Sequence, residues 1–405
     1  MLTSLPRPPS PRCCRLAGWF VACGLTTLAA PSLCQTLPIR VPAPPGTARP
    51  VDASTDAPTG RLSSLRRLFT NSHDGWYARV GGLGDGNGVA VGGGHRVTTA
   101  EGTLTTRLLL STRESFLLSA DWFRPVDADG RWSLNFGLTE RRDAQQLFSG
   151  TGLSPDETAA GYALTTTTAD VRAGWHPRSW VTVSTGIAAV KPAISQSSDH
   201  SVATLAGRYS PREAVGLMRQ PTFAVMHGAI TVDTRRDPRQ QSGGRYAVEW
   251  RHYDDREDAG YAFNMVRMDA QHDVALGSPG RTLLLHALAQ QTTPSAASAV
   301  PFYFQPALGG GRSLRAFDRQ RFRDLSAVLF QAEVQQRVHR YVAAAVFLDA
   351  GQVAPRLGDV RFGNLLTSYG VGLRLGRAGG PGLRTDLAFG GESRVRFVVG
   401  FATGF

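Results

Sequence analysis

Residues 132–139 read WSLNFGLT, and their alternation decides the fold. Trp132, Leu134, Phe136 and Leu138 fall on one face of an extended chain, and Ser133, Asn135, Gly137 and Thr139 on the other. Side chains of a strand point alternately to its two faces, so this segment carries one apolar and one polar surface. The pattern recurs along the chain. In 245–252, Tyr246, Val248 and Trp250 oppose Arg245, Glu249 and Arg251; in 328–337, Val328, Phe330, Ala332 and Val334 oppose Leu329, Gln331, Glu333, Gln335 and Arg337. At the end, Val395, Phe397, Val399, Phe401 and Phe405 oppose Arg394, Arg396, Gly400 and Gly404. A wall that is apolar outside and polar inside suits a barrel in lipid. A soluble two-sheet sandwich also alternates, but its aromatics would point into a shared core.

Working outward from 132–139, strands are expected near 76–83, 88–97, 102–111, 115–123, 132–143, 163–175, 180–190, 222–233, 244–253, 261–273, 281–291, 327–338, 341–350, 367–376, 383–390 and 394–405. That is sixteen, an even number, as a closed single-chain barrel with both ends on one side of the membrane requires. The long connections (144–162, 191–221, 292–326 and 351–366) all follow odd strands, and those after even strands are mostly short. Short periplasmic turns and longer outer loops give that asymmetry; a sandwich has no reason for it. The expected fold is all-β, a 16-stranded antiparallel transmembrane barrel of the bacterial outer membrane spanning residues 76–405.

The segment before it reads as a leader. Arg7, Arg12 and Arg15 precede a short apolar run, Leu16 to Ala30, interrupted by Gly18 and Gly24. The run is shorter than the roughly 20 residues of a spanning helix, so residues 1–34 are expected to be a cleaved signal, cut near Ala30 or Cys34. Lipidation at Cys34 is disfavoured by Leu33, where a small residue would be expected. All four cysteines (13, 14, 23 and 34) lie in this segment, which suits an oxidising compartment without a disulfide framework. Residues 35–75, rich in Pro, Ala, Thr and Gly, read as a linker. Within them RLSSLRRLF (61–69) is either a short basic amphipathic helix or more linker.

The formal charge is +12, and Lys191 is the only lysine. The arginines are spread one or two per strand, with no basic run and no aromatic-basic face. A polar lumen or anionic headgroups explain that spread better than nucleic acid. No cofactor or metal is expected: the nine histidines show no His-x-x-x-His spacing. GGLGDGNG (81–88) lacks the Lys-Ser/Thr of a phosphate loop and reads as a hairpin turn. The acidic cluster Asp254, Asp255, Glu257 and Asp258 reads as a solvated outer loop in preference to a cation site. No strained nucleophile turn marks a hydrolase, and no enzyme is expected.

One constellation stands out. Residues 301–324 read PFYFQPALGGGRSLRAFDRQRFRD; Glu333 follows in strand 12, and AVFLDAG (345–351) in strand 13. Parity puts Glu333, Phe347 and Asp349 on inward faces, and Val346 and Leu348 toward lipid. An arginine of the long loop folded into the lumen would meet both carboxylates, in a bidentate contact stronger and more directional than a surface pair. The pattern is equally compatible with Arg315 in solvent and carboxylates lining a wet pore.

These residues resemble the BamA/TamA family of outer-membrane assembly barrels, also called bacterial surface antigens, and their two-partner secretion relatives. In that family a sixth outer loop, folded inward, carries a Val/Leu-Arg-Gly-Phe/Tyr motif whose arginine meets acidic residues on strands 12 and 13. Here the loop between strands 11 and 12 carries Leu314-Arg315-Ala316-Phe317, and strand 13 carries Phe347-Leu348-Asp349-Ala350-Gly351. The stretch DTRRDPRQQSGGRY (233–246) is similar to the family's Asp-x-Arg…Pro…Gly periplasmic turn. Phe405 matches its C-terminal aromatic assembly signal. The resemblance implies Glu333 and Asp349 as partners of Arg315. It also implies a role in inserting or translocating proteins or lipids, with outer-membrane lipids, the assembly machinery during biogenesis and a secreted protein or lipoprotein client as partners. Two departures stand out. Ala316 replaces a glycine, a tight fit if the backbone there has positive φ. Residues 35–75 are too few for one of the family's periplasmic POTRA domains. A plugged pore is the alternative function, and an outer-membrane lipase or protease a weaker one.

Overall fold

Sixteen antiparallel strands form the wall of one barrel in the computed structural model, which describes residues 74–235, 242–376, 382–391 and 395–402. In chain order they are β1 (Gly75–Gly82), β2 (Val89–Thr99), β3 (Gly102–Ser111), β4 (Phe116–Pro125), β5 (Trp132–Phe148), β6 (Ala160–Arg178), β7 (Val181–Gln196) and β8 (Phe223–Asp233). Then come β9 (Gly243–Asp255), β10 (Phe263–Ala275), β11 (Arg281–Pro294), β12 (Ser326–His339), β13 (Val342–Ala354), β14 (Leu366–Gly376), β15 (Gly382–Phe389) and β16 (Arg396–Ala402). The expected leader (1–34), the helix at 61–69, nearly all of the linker, Pro238 of the 233–246 turn and Phe405 lie outside the described residues.

Each strand pairs antiparallel with the next, from β1–β2 through to β15–β16. Among the described residues no ladder joins β16 back to β1, although the two adjoin: a methyl placed on Gly82 would stand 3.5 Å from the Phe401 ring. The barrel is nearly closed, and its single seam lies between first and last strands.

The alternation becomes an apolar exterior. Val346, Leu348, Phe397 and Val399 stand bare on the outside, whereas Phe347 and Asp349, one residue away, are buried within. Connections after even strands include two-residue turns at 100–101, 179–180 and 340–341; the long ones, 149–159, 197–222, 295–325 and 355–365, all follow odd strands. At the short-turn end Trp76, Trp132, Trp175, Trp180, Tyr246 and Tyr341 face outward, with Trp132 and Trp175 stacked at 6.0 Å. Amphipathic rings at one level mark a membrane–water boundary.

The wall departs from expectation at the long-loop end. β5, β6 and β7 run to 17, 19 and 16 residues, taking in 144–148 and 160–162 of the expected loop 144–162 and 191–196 of the expected loop 191–221, whereas roughly 9–11 cross the hydrocarbon. The extra length is more than the hydrocarbon requires. At that end the 197–222 connection covers the wall, its residues Ala203–Thr204 pairing in parallel with Ala160–Gly161. Both faces of β6 are buried at this end, so the polar face that signals a lumen is missing from the sequence.

The 295–325 connection turns into the barrel. Phe302, Tyr303 and Phe304 pack against Phe148, Tyr162, Tyr209, Phe223, Tyr253 and Phe263 in an aromatic core that fills this end of the lumen. The Phe302 ring meets Phe148 at 4.9 Å and Tyr162 at 5.1 Å, edge to face; Phe304 meets Phe223 at 5.3 Å. Such edge-to-face pairs add to area burial in holding the loop inside.

Val346→Arg places a cation on the lipid face of β13 and is expected to lower the unfolding free energy by about 2–4 kcal/mol. Urea titration of the protein in lipid vesicles measures it; an unchanged midpoint would contradict the assigned exterior.

Candidate functional site

The infolded loop continues from its aromatic anchor to a buried ionic cluster. Between them Ala307–Leu308 pairs with Phe322–Arg323, so residues 309–321 form a closed tip hung from a two-residue hairpin. Gly309 and Gly310 have φ of +109° and +97°, which permits the sharp reversal that starts the tip.

Arg315, at the tip, is fully buried. Its Nη1 lies 2.7 Å from Glu333 Oε2 on β12 and its Nε 3.4 Å from Asp349 Oδ2 on β13. The Arg315 backbone N–H also donates to Asp349 Oδ2, at 3.3 Å. The guanidinium carbon lies 3.9 Å from the centroid of the Phe347 ring, a cation–π contact on the same face as the two carboxylates. Ring and acids lie together because residues 333, 347 and 349 all point inward.

Three further residues, not anticipated from the sequence, complete the cluster. Asp386 on β15 approaches Arg315 Nη1 at 3.6 Å. Arg374 on β14 bridges the acids, 2.6 Å from Glu333 Oε2 and 2.6 Å from Asp386 Oδ1; Arg384 on β15 reaches Asp386 Oδ2 at 3.2 Å. Three guanidiniums thus face three carboxylates, and no net charge is buried. Neutral hydrogen bonds support two of the acids: Gln331 Nε2 and Ser368 Oγ each donate to Asp349 at 2.9 Å, and Gln335 Nε2 donates to Glu333 at 2.8 Å. A buried pair is favourable only when its lone pairs are satisfied in this way. The missed residues had a signal: Asp386 is a lone acid on the inward parity of the final hairpin. Nothing distinguishes it in sequence from an acid lining a wet lumen.

The other motif residues serve the packing of the tip. Leu314 is fully buried, and Phe317 meets Phe322 edge-on at 5.2 Å. At Gly351 any side-chain carbon would stand 2.8 Å from the Val328 carbonyl oxygen and 3.0 Å from Leu308, so its bareness lets the loop touch the wall. Ala316 is not among the residues with positive φ, so its methyl causes no backbone strain there. The room for Ala316 comes from Gly391 between β15 and β16, where an added carbon would stand 3.0 Å from the Ala316 methyl and closer still to its carbonyl.

Elsewhere the candidate motifs resolve into structure. Asp233 accepts from the Arg235 backbone N–H at 3.1 Å and pairs with its guanidinium at 2.7 Å, so this Asp-x-Arg closes on itself at the start of the turn. Three acids of the acidic loop have partners. Asp254 pairs with Arg256, Asp255 accepts from the Glu257 and Tyr261 N–H groups, and Glu257 accepts from the Thr222 N–H, from Lys191 and from the Thr222 hydroxyl; these hold the Glu257 carboxyl down to about 2. Among the described residues no group of three metal-binding side chains converges. Among the described residues one serine–histidine contact exists, Ser133 Oγ to His176 Nε2 at 3.2 Å. The other ring nitrogen meets the Thr182 hydroxyl at 3.1 Å, where a hydrolytic triad would set a carboxylate.

No curated protein matches the chain by sequence. Among solved structures it is similar to BamA from Haemophilus ducreyi lacking POTRA domains 1–3, at 14% identity and a TM-score of 0.60, over 82% of this chain and 71% of that one. It is also similar to CdiB from Escherichia coli (11% identity, TM-score 0.52, 80% of this chain) and CdiB from Acinetobacter baumannii (12%, 0.50, 80%). The match spans 61% and 58% of those two CdiB chains. At these identities the likeness is one of fold. The sequence profile of the Omp85 superfamily domain matches residues 82–403, most of the barrel wall and the whole infolded loop, and the chain belongs to the Omp85 superfamily.

Proposed function

We propose that the protein is an outer-membrane barrel that inserts or translocates client proteins or lipids, with the β1–β16 seam as the moving part and the loop around Arg315 as its lid. The observation that carries this reading is the seam itself. Fifteen neighbouring pairs of strands are tied by ladders, and the sixteenth boundary is not, among the described residues. Hydrocarbon offers no water to an unpaired backbone, so an open strand edge there is a strong acceptor for another strand. Gly81 and Gly82 at the end of β1 offer no side chains to lock the edge across the seam. The solved relatives are consistent with outer-membrane residence and protein clients.

The second reading is a plugged pore. The aromatic core around Phe302 and Phe304 favours a lumen shut at rest, and removing 309–324 would then open a conducting path. The hydrolase reading has the least support, because His176 has a threonine where the chemistry needs an acid.

A disulfide across the seam, from cysteines placed in β1 and β16, is expected to abolish client insertion into vesicles reversibly, with activity returning on reduction. Unimpaired insertion by the locked barrel would sink the gating reading. For the lid, Arg315→Ala is expected to destabilise the barrel by about 3–5 kcal/mol in urea titrations, because it strands buried carboxylates. Arg315 is the one cation in ion-pair range of Asp349 among the described residues. Arg315→Ala combined with Asp349→Asn should therefore cost less than the two changes added separately; strict additivity would show that the pair is not coupled.

A further inference from the structure

The tip of the infolded loop touches both sides of the seam. On the β1 side its partner is the 83–88 connection that follows the strand. Asp85 Oδ2 accepts from the Arg312 backbone N–H at 2.9 Å, and its other oxygen lies 3.8 Å from the Arg312 guanidinium. Arg319 donates to the Asp85 carbonyl at 3.4 Å and to the Gln145 carbonyl at 3.0 Å. The fit is close: the Arg319 guanidinium occupies the space that a side chain on Gly86 would fill. On the β16 side, Asp318 pairs with Arg396, Arg384 donates to the Gly311 carbonyl, and Gly311 lies against Val398, where an added carbon would come within 2.7 Å.

The 83–88 connection is itself anchored. Asn87 is fully buried; its amide donates to Asp143 at 2.5 Å, and Asp143 is held by Arg141 at 2.7 Å. Ser115 donates to the Asn87 amide oxygen at 2.9 Å. GGLGDGNG is thus more than a hairpin turn: it is a fixed receptor for the loop tip, built on β1, the turn before β4, and β5.

We propose that the loop tip is a latch that holds the seam shut from inside, with Asp85–Arg312/Arg319 as its grip on the first hairpin and Asp318–Arg396 as its grip on the last strand. The proposal rests on the reading of β1–β16 as the moving seam and adds what controls it. β1 and β16 share no ladder among the described residues, so side-chain bonds through residues 311–319 bridge them where backbone bonds do not. Seam and lid then move as one unit: the edges part only when the tip lets go of one side. Asp85 is largely shielded and Asp318 is mostly exposed, so the Arg396 grip is the weaker and releases first. A client cation or anion competing for Asp318 or Arg396 would favour opening.

The test uses the full chain with its four native cysteines replaced by serine, reconstituted in planar bilayers. Asp85→Asn, Asp318→Asn and the double variant are compared with the parent, each with and without a disulfide between Gly82→Cys and Phe401→Cys. Opening events are expected to rise roughly threefold for Asp318→Asn and about tenfold or more for the double variant, and the oxidised disulfide should remove the increase. Correct assembly is checked by heat-modifiable mobility on gels. The charge exchange Asp318→Arg with Arg396→Asp should restore parental opening, which a fold defect would not allow. Opening unchanged in the double variant, or an increase that survives the disulfide, overturns the latch. A locked seam that still inserts clients overturns the functional reading instead, and leaves the latch standing.

Discussion

Backbone hydrogen bonding in hydrocarbon governs this molecule. Every N–H and C=O at membrane depth needs a protein partner, because an unsatisfied group costs several kcal/mol and no water is present to replace it. A closed ring of strands meets the demand everywhere except at its joint. In this chain the demand is met by ladders from β1 around to β16, and among the described residues the one neighbouring pair of strands without a ladder is β1 and β16. Among the described residues that boundary is the one place where the wall can part without breaking ladders. The constraint that makes the barrel stable also singles out the seam at which we propose motion.

The interior follows a second rule, that charge is buried only when compensated. Arg315 enters the barrel on a loop, far from its partners in sequence, and finds carboxylates from three strands. Such a cluster is weak evidence for net stability, since desolvation offsets much of the Coulomb gain. Its value lies in discrimination. A loop misplaced by a few ångströms leaves three acids facing two arginines, so the penalty for a wrong position is large although the reward for the right one is modest. The aromatic core around Phe302 and Phe304 supplies the non-directional part of the binding, and the arginine fixes the register.

Much of this was legible in the sequence, for reasons that differ by element. The strands at lipid depth announce themselves because their two faces meet different solvents, as in 132–139 and 245–252. The signal fails at 144–148 and 160–162, where β5 and β6 run on past the expected strand ends; both faces of β6 are buried there, and the period-two pattern has no polar side left to show. Glu333 and Asp349 could be paired with Arg315 by parity and family resemblance together. Arg374, Arg384 and Asp386 could not, because an inward charge on a barrel strand looks the same whether it lines water or completes a cluster. The stretch 81–88 was read as a turn, correctly as far as local chemistry goes. Its contact with Arg319 is a long-range fact that eight residues rich in glycine do not encode by themselves.

The substitution at 316 shows how such a site tolerates change. A glycine there would leave the tip free to approach the β15–β16 connection. Alanine adds one methyl, and the wall yields the space at Gly391, which has none. Because φ at Ala316 is not positive, the fit is decided by contact alone: a carbon on Gly391 would stand 2.1 Å from the Ala316 carbonyl oxygen and 3.0 Å from its methyl, so Gly391 stays bare. Gly351 is constrained in the same way: a carbon there would meet the backbone oxygen of Val328, which cannot move without breaking the β12–β13 ladder. Glycine is therefore required in this site where a backbone carbonyl faces it, at 391 as at 351, whereas position 316, with its ordinary φ, accepts a methyl.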